Sequence, residues 1–177
     1  MDTPAGSGRQ PARMSQGAGA RRSGVLGSLT IPGAPEHVAR ARKFIARTVS
    51  PIPGIDSDAA TLLTSELVTN AIQHTSSGDG GAVTLTVVGL PDGVLVEVTD
   101  QGSARAPVVK GELYAAEGHG LYLVQQLAGQ WGYLRAPAGT TVWFHLAADG
   151  TPGACGQARA AATTPSQILA RSASEVT

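Results

Sequence analysis

Glu66 and Asn70 stand four residues apart in the stretch SELVTNAIQHT (residues 65–75), one helical turn from each other on one face. At about 100° per residue that face falls among the apolar positions of the same helix, with Glu66 between Leu62 and Leu63 and Asn70 close to Leu63. A carboxylate aimed toward a packed side is costly unless a partner or a water-filled cavity receives it. An amide oxygen one turn on can hold a hard cation such as Mg²⁺, which takes few protein ligands and completes its shell with water and phosphate. The carboxylate beside it can polarise an attacking hydroxyl or water. Three further stretches carry chemistry. Asp100 and Gly102 in EVTDQGSA place a carboxylate at a strand end, where it can accept from an exocyclic amine, beside a residue that allows close approach to the backbone. Gly118, His119 and Gly120 in EGHGLYLVQQLAG stand where a loop enters a helix, and free amides at a helix start bind phosphate. Thr140 and Thr141 open a strand in AGTTVWFHL. Each has a plain reading when taken singly: an exposed polar ridge, a strand-ending turn, a loop hinge, or β-propensity alone. For His74, one turn beyond Asn70, the surface reading is favoured.

The elements that must position these residues alternate in period. LGSLTIPG reads as a short strand ended by Pro32 and Gly33. APEHVARARKFIARTV has Val38, Ala41, Ile45 and Val49 at helical spacing, with Pro35 and Glu36 suited to a first turn. DSDAATLLTSELVTNAIQHT is a second helix capped by Asp56 or Ser57, and SSGDGG breaks it. AVTLTVVGL and GVLVEVTD are strands joined by PDG, a hairpin signal. Residues 103–117 have no clear period and read as a long loop. HGLYLVQQLAGQ is a third helix, and WGYLRA and TTVWFHLA are two more strands joined by PAGT. The order β, α, α, β, β, loop, α, β, β predicts an α+β fold, a two-layer sandwich with an antiparallel-leaning sheet. Residues 1–24 and 149–177 are rich in small and polar residues, which predicts two disordered arms around one domain at 25–148.

Composition narrows the function classes. The chain has 177 residues, 42% apolar and 15% charged, enough for one domain with a real core. Its 13 basic and 13 acidic residues balance, so nothing indicates a nucleic-acid surface. A single cysteine, Cys155, excludes an intrachain disulfide and a thiolate metal cluster, and a reducing cytoplasmic setting is expected. Arg21 and Arg22 precede an apolar patch, but Gly27, Ser28 and Pro32 break it, so it reads as a basic arm and not as an export signal. No run approaches the length of a membrane span.

Taken together, the four stretches in this order resemble the ATP-binding domain shared by sensor histidine kinases, gyrase and MutL. Within that superfamily the chain looks most like the small bacterial anti-sigma-factor serine kinases. SELVTNAIQHT matches the N box, VEVTDQG the first glycine box, GHGLYLVQQLAGQWGY the second, and GTTVWF the closing strand; the resemblance runs from about Leu29 to Leu146. It implies ATP and Mg²⁺ as ligands, with Asn70 on the metal and Glu66 as general base toward a protein serine or water. It implies that Asp100 reads the adenine amino group with Gly102 under the ring, and that Gly118, His119, Gly120 and Leu121 lie along the phosphates beneath a lid at residues 103–117. Thr141 is placed in the adenine-side network. The implied partner is an anti-anti-sigma protein of the STAS type, together with a sigma factor, and a homodimer is implied. The sequence departs from the pattern at one point: Ala115, Ala116 and Glu117 precede Gly118 where related kinases often carry a basic residue, although Arg105 and Lys110 lie in the same loop. The alternative is therefore a nucleotide-dependent binding module without efficient transfer. A detached sensor-kinase domain would need a phosphoacceptor histidine on a helical hairpin, which His37 and one helix do not supply. An ATPase machine would need a transducer domain.

Overall fold

The computed structural model describes residues 23–102, 124 and 126–148, and the backbone of 159–160. The chain opens with strand β1 (Gly24–Pro32), makes a 3-10 turn at Pro35–His37, and enters helix α1 (Val38–Val49). Proline at the start of that turn suits a first helical position, where its missing N–H removes no bond. Ala41, Ile45 and Val49 of α1 are buried, as their spacing predicts.

Helix α2 (Ser57–His74) begins at Asp56, whose carboxylate accepts from the backbone N–H groups of Asp58 and Ala59, both at 2.9 Å. That cap decides between the two candidates, since an aspartate side chain satisfies two of the free amides at once. The helix buries Ala60, Leu63, Thr64, Leu67, Val68, Ala71 and Ile72.

Strands β2 (Ala82–Leu90) and β3 (Gly93–Asp100) form a hairpin across Pro91 and Asp92, and β4 (Gln130–Ala136) and β5 (Gly139–Ala147) form another across Pro137 and Ala138. Between them, Val124, Gln126 and Leu127 are helical, with the Ala128 N–H donating to the Val124 carbonyl at 2.9 Å. The rest of the expected third helix lies outside the described residues. The sheet runs β1-β2-β3-β5-β4-β6, antiparallel throughout except at its last member, β6 (Arg159–Ala160), which pairs parallel with Gly132 and Tyr133 of β4. This strand falls inside the segment expected to be a disordered arm. Its composition carries no strand signal, and the pairing with a distant edge is what makes it one.

One core joins the two layers. It includes Ala41, Ile45 and Val49 from α1, the buried face of α2, and Ile31, Val83, Leu85, Val87, Val94, Val96, Val98, Val142, Phe144 and Leu146 from the sheet. Successive strand residues point to opposite faces, so these residues define the helix-covered face. The architecture is the α+β sandwich expected from the order of elements. Among the described residues, no helix is long and apolar enough to cross a membrane.

Candidate functional site

Asp100 is the centre from which the site can be built. It is the last residue of β3 and follows Val94, Val96 and Val98 on the helix-covered face, so the same alternation that builds the core carries a carboxylate to the core's rim. Asp100 is buried, and that burial pushes its carboxyl above the ordinary value of 3.8, against the opposing pull of the Gly102 and Thr140 backbone N–H groups. The Gly102 N–H donates to Oδ1 at 2.6 Å. This short turn requires glycine, with φ of +81° at Gly102. On the neighbouring strand Gly139 has φ of +148°, and a Cβ there would run into the Asp100 carbonyl oxygen.

The turn after Asp100 is tied to the end of α2. Ser77, fully buried, donates its hydroxyl to the Ala82 carbonyl at 2.8 Å and accepts from the Gln101 N–H at 2.9 Å. The Ser76 N–H donates to the Gly102 carbonyl at 3.0 Å. These bonds hold the C-terminal end of α2 against the end of β3 that carries Asp100. Sequence reasoning passed over Ser77 as part of a helix breaker. A serine that follows a helix end cannot be told from a turn residue until its partners, distant in sequence, are known.

Glu66 and Asn70 are both half-buried, and His74 beyond them is exposed. Leu63 is fully buried while Leu62 is exposed, so the ridge follows the rim of the packed face and not its middle. Neither Glu66 nor Asn70 has a side-chain hydrogen bond to another described residue. Two polar side chains thus stand on the rim of the packed face, on a helix pinned to the Asp100 turn.

Thr141 is not on the Asp100 side. The register pairs Asp100 with Thr140 and Thr99 with Thr141. Thr140 is buried and shares its face with Val142, Phe144 and Leu146, whereas Thr141 faces the opposite way and shares a hydrogen bond of 2.8 Å with the Thr99 hydroxyl. The residue beside Asp100 is therefore Thr140, and Thr141 is a cross-strand sheet residue. Counting back by two from the apolar Phe144 and Val142 was the available signal.

Gly118, His119, Gly120 and Leu121, and the loop at 103–117, lie outside the described residues. Among the described residues no group of three or more His, Cys, Asp or Glu side chains could hold a metal. Mg²⁺ held by one amide oxygen and by phosphate oxygens calls for no such group. A family model described as the histidine kinase-like ATPase domain matches residues 31–146. No curated protein matched the chain.

Proposed function

The chain belongs to the histidine kinase-like ATPase domain family, and on that premise we propose that it is an ATP-binding regulator with serine kinase activity toward a STAS-type anti-anti-sigma partner. The observation that carries the reading is Asp100: a buried carboxylate at a strand end, steadied by the Gly102 and Thr140 amides and tied through Ser77 to the helix that bears Glu66 and Asn70. An ionised carboxylate only accepts hydrogen bonds, and the adenine amino group donates them. Gly102 leaves the adjacent backbone free of side chain. These residues fit an adenine nucleotide.

In this reading ATP supplies the phosphoryl group, and Mg²⁺ offsets the charge of its phosphates. Asp100 orients the base, with Thr140 beside it. Asn70 would hold the metal through its amide oxygen. Glu66, one turn earlier on the same half-buried rim, accepts the proton of the partner's serine hydroxyl. By the resemblance, Gly118, His119, Gly120 and Leu121 would hold the phosphates.

The decisive experiment is Glu66→Gln, which keeps shape and removes basicity. The variant should bind ATP nearly as well as the parent and phosphorylate a partner serine about a hundredfold more slowly, within the range for a lost general base. A time course by mass spectrometry, beside an ATP-binding assay on the same samples, reads both. Equal rates in the two proteins would remove Glu66 as base. One observation favours a second reading, a nucleotide-controlled binding module: Ala115, Ala116 and Glu117 put no cation directly before Gly118. Absence of transfer in the parent across several STAS-type partners, with ATP-dependent association retained, would establish the module instead.

A further inference from the structure

The zero net charge of the chain conceals a segregation. Residues 1–50 hold 8 of its 13 basic residues and 2 of its 13 acidic ones, and residues 51–177 hold the other 5 and 11. Among the described residues the basic excess is concentrated on α1, where Arg40, Arg42, Lys43 and Arg47 are all exposed and no acidic residue occurs. Glu36, in the turn before the helix, is the one carboxylate of that stretch. None of the four cations has a hydrogen bond or ion pair to another described residue. Unneutralised cations along one helix spread a positive potential over its outer side.

The side on which they stand follows from helix geometry. Ala41, Ile45 and Val49 set the inner face of α1. At about 100° per residue, Arg40 and Arg47 fall together on one flank, with Lys43 just beyond them and half-buried Phe44 between them and the core. Arg42 falls on the other flank. The flank with Phe44 meets the edge of the sheet: a Cβ on Gly27 of β1 would stand 3.3 Å from the Phe44 ring and 3.9 Å from the Thr48 methyl group. Among the described residues β1 pairs with β2 alone. The same edge exposes apolar side chains. Val25 at 63% and Leu26 at 46% are the most exposed large hydrophobic residues among those described. A bulge between Val25 and Gly27 takes Leu26 out of the pairing, and its side chain lies over Gly89, next to the Gly27 that underlies Phe44.

An aliphatic pair beside a row of cations selects among ligands. A second copy across this edge would set α1 cations against α1 cations, a juxtaposition that opposes association. A nucleic acid would satisfy the cations through its phosphates and leave Val25 and Leu26 with nothing to enter. An anionic bilayer suits both, since its headgroups attract Lys and Arg and its interfacial layer takes up apolar side chains. We propose that the β1 edge, with Val25 and Leu26 beside Arg40, Lys43 and Arg47 of α1, is a docking surface for an anionic membrane, on which the chain lies without crossing it. The surface does not overlap the Asp100 carboxylate. Val25 aligns through Val88 with Leu95, five residues or about 17 Å along β3 from Asp100.

Vesicle sedimentation with the full chain tests this. Vesicles of phosphatidylcholine with about one third phosphatidylglycerol should bind it at least about tenfold more tightly than phosphatidylcholine alone, and added salt should weaken the binding. Arg40→Gln with Arg47→Gln should weaken it at least about tenfold, and Arg42→Gln, on the other flank, by less. Leu26→Asn should weaken it severalfold, with Tm and ATP affinity as in the parent. Lys43→Gln and Val25→Asn repeat the two tests at neighbouring positions should either first variant fail to fold. Equal binding to the two kinds of vesicle, or binding that survives both kinds of variant, would overturn the proposal. So would tighter binding to a duplex oligonucleotide that Leu26→Asn leaves unchanged, which would assign the cations to nucleic acid. A dimer in sedimentation velocity that Leu26→Asn dissociates would overturn it too, by assigning the edge to a second copy.

Discussion

A carboxylate buried as Asp100 is holds its charge at a cost that water would otherwise relieve. Its raised pKa means that the folded protein keeps this proton to higher pH than the unfolded chain does. As pH rises from the ordinary value of 3.8 through the folded value, Asp100 therefore lowers the stability of the free protein. Asp100→Asn should accordingly gain stability relative to the parent across that window and then level off, as urea titrations at a series of pH values would read. The same substitution should weaken ATP binding at least about tenfold, since it removes a charge-assisted acceptor that contributes about 1.5–3 kcal/mol. Parental affinity should itself fall as pH drops through the window, because the amine donor favours the ionised form; unchanged calorimetric affinity in the variant would take Asp100 out of the site. The two threonines divide cleanly. Thr140→Val should reduce nucleotide affinity, with rescue by serine. Thr141→Val should leave affinity intact and cost about 1 kcal/mol of stability through the lost bond to Thr99.

At the scale of elements, the site depends on how α2 meets the end of β3. The joint is small: Ser77 bridges Ala82 and Gln101, and Ser76 reaches Gly102. Ser77→Ala leaves the Gln101 N–H and the Ala82 carbonyl without this partner in a buried place, which costs about 1–3 kcal/mol. It should also weaken nucleotide binding, because the Asp100 turn loses its tie to the helix carrying Asn70. Melting curves measured with and without ATP separate the effects: the prediction fails if the ATP-induced shift in Tm equals that of the parent. Helices α1 and α2 and strands β1 to β5 were legible in the sequence, whereas β6 was not. The spacing of Ala41, Ile45 and Val49 marks α1, Asp56 opens α2, and the Pro91–Asp92 hairpin joins β2 to β3. These signals are local, set by periods and turn chemistry within a few residues.

For the whole molecule, stability resides in one core shared by both helices and five strands of the sheet's helix-covered face. Phe144, fully buried in that core, is its largest residue after Trp131. Phe144→Ala should cost about 3–5 kcal/mol, visible as a lower urea midpoint with an unchanged m-value. Removing residues 1–22 should leave Tm unchanged, since the outer positions of β1 where they attach are exposed. A clear loss of Tm would show that this arm packs on the domain.

By itself the sequence determined the order of α1, α2 and β1 to β5, the α+β sandwich, and the four polar stretches whose combination resembles an ATP-binding domain. Each of these depends on residues close together in the chain. Tertiary structure alone decided that Thr140 and not Thr141 stands beside Asp100, because a strand's facing is set by its register against a partner. It alone decided that Ser77 joins helix to sheet, and that Gly27, and with it the exposed Leu26, comes beside Phe44 of α1. The reason is common to all three: which groups meet, and which surfaces lose their water, depends on contacts between residues far apart in sequence, and no local pattern encodes them.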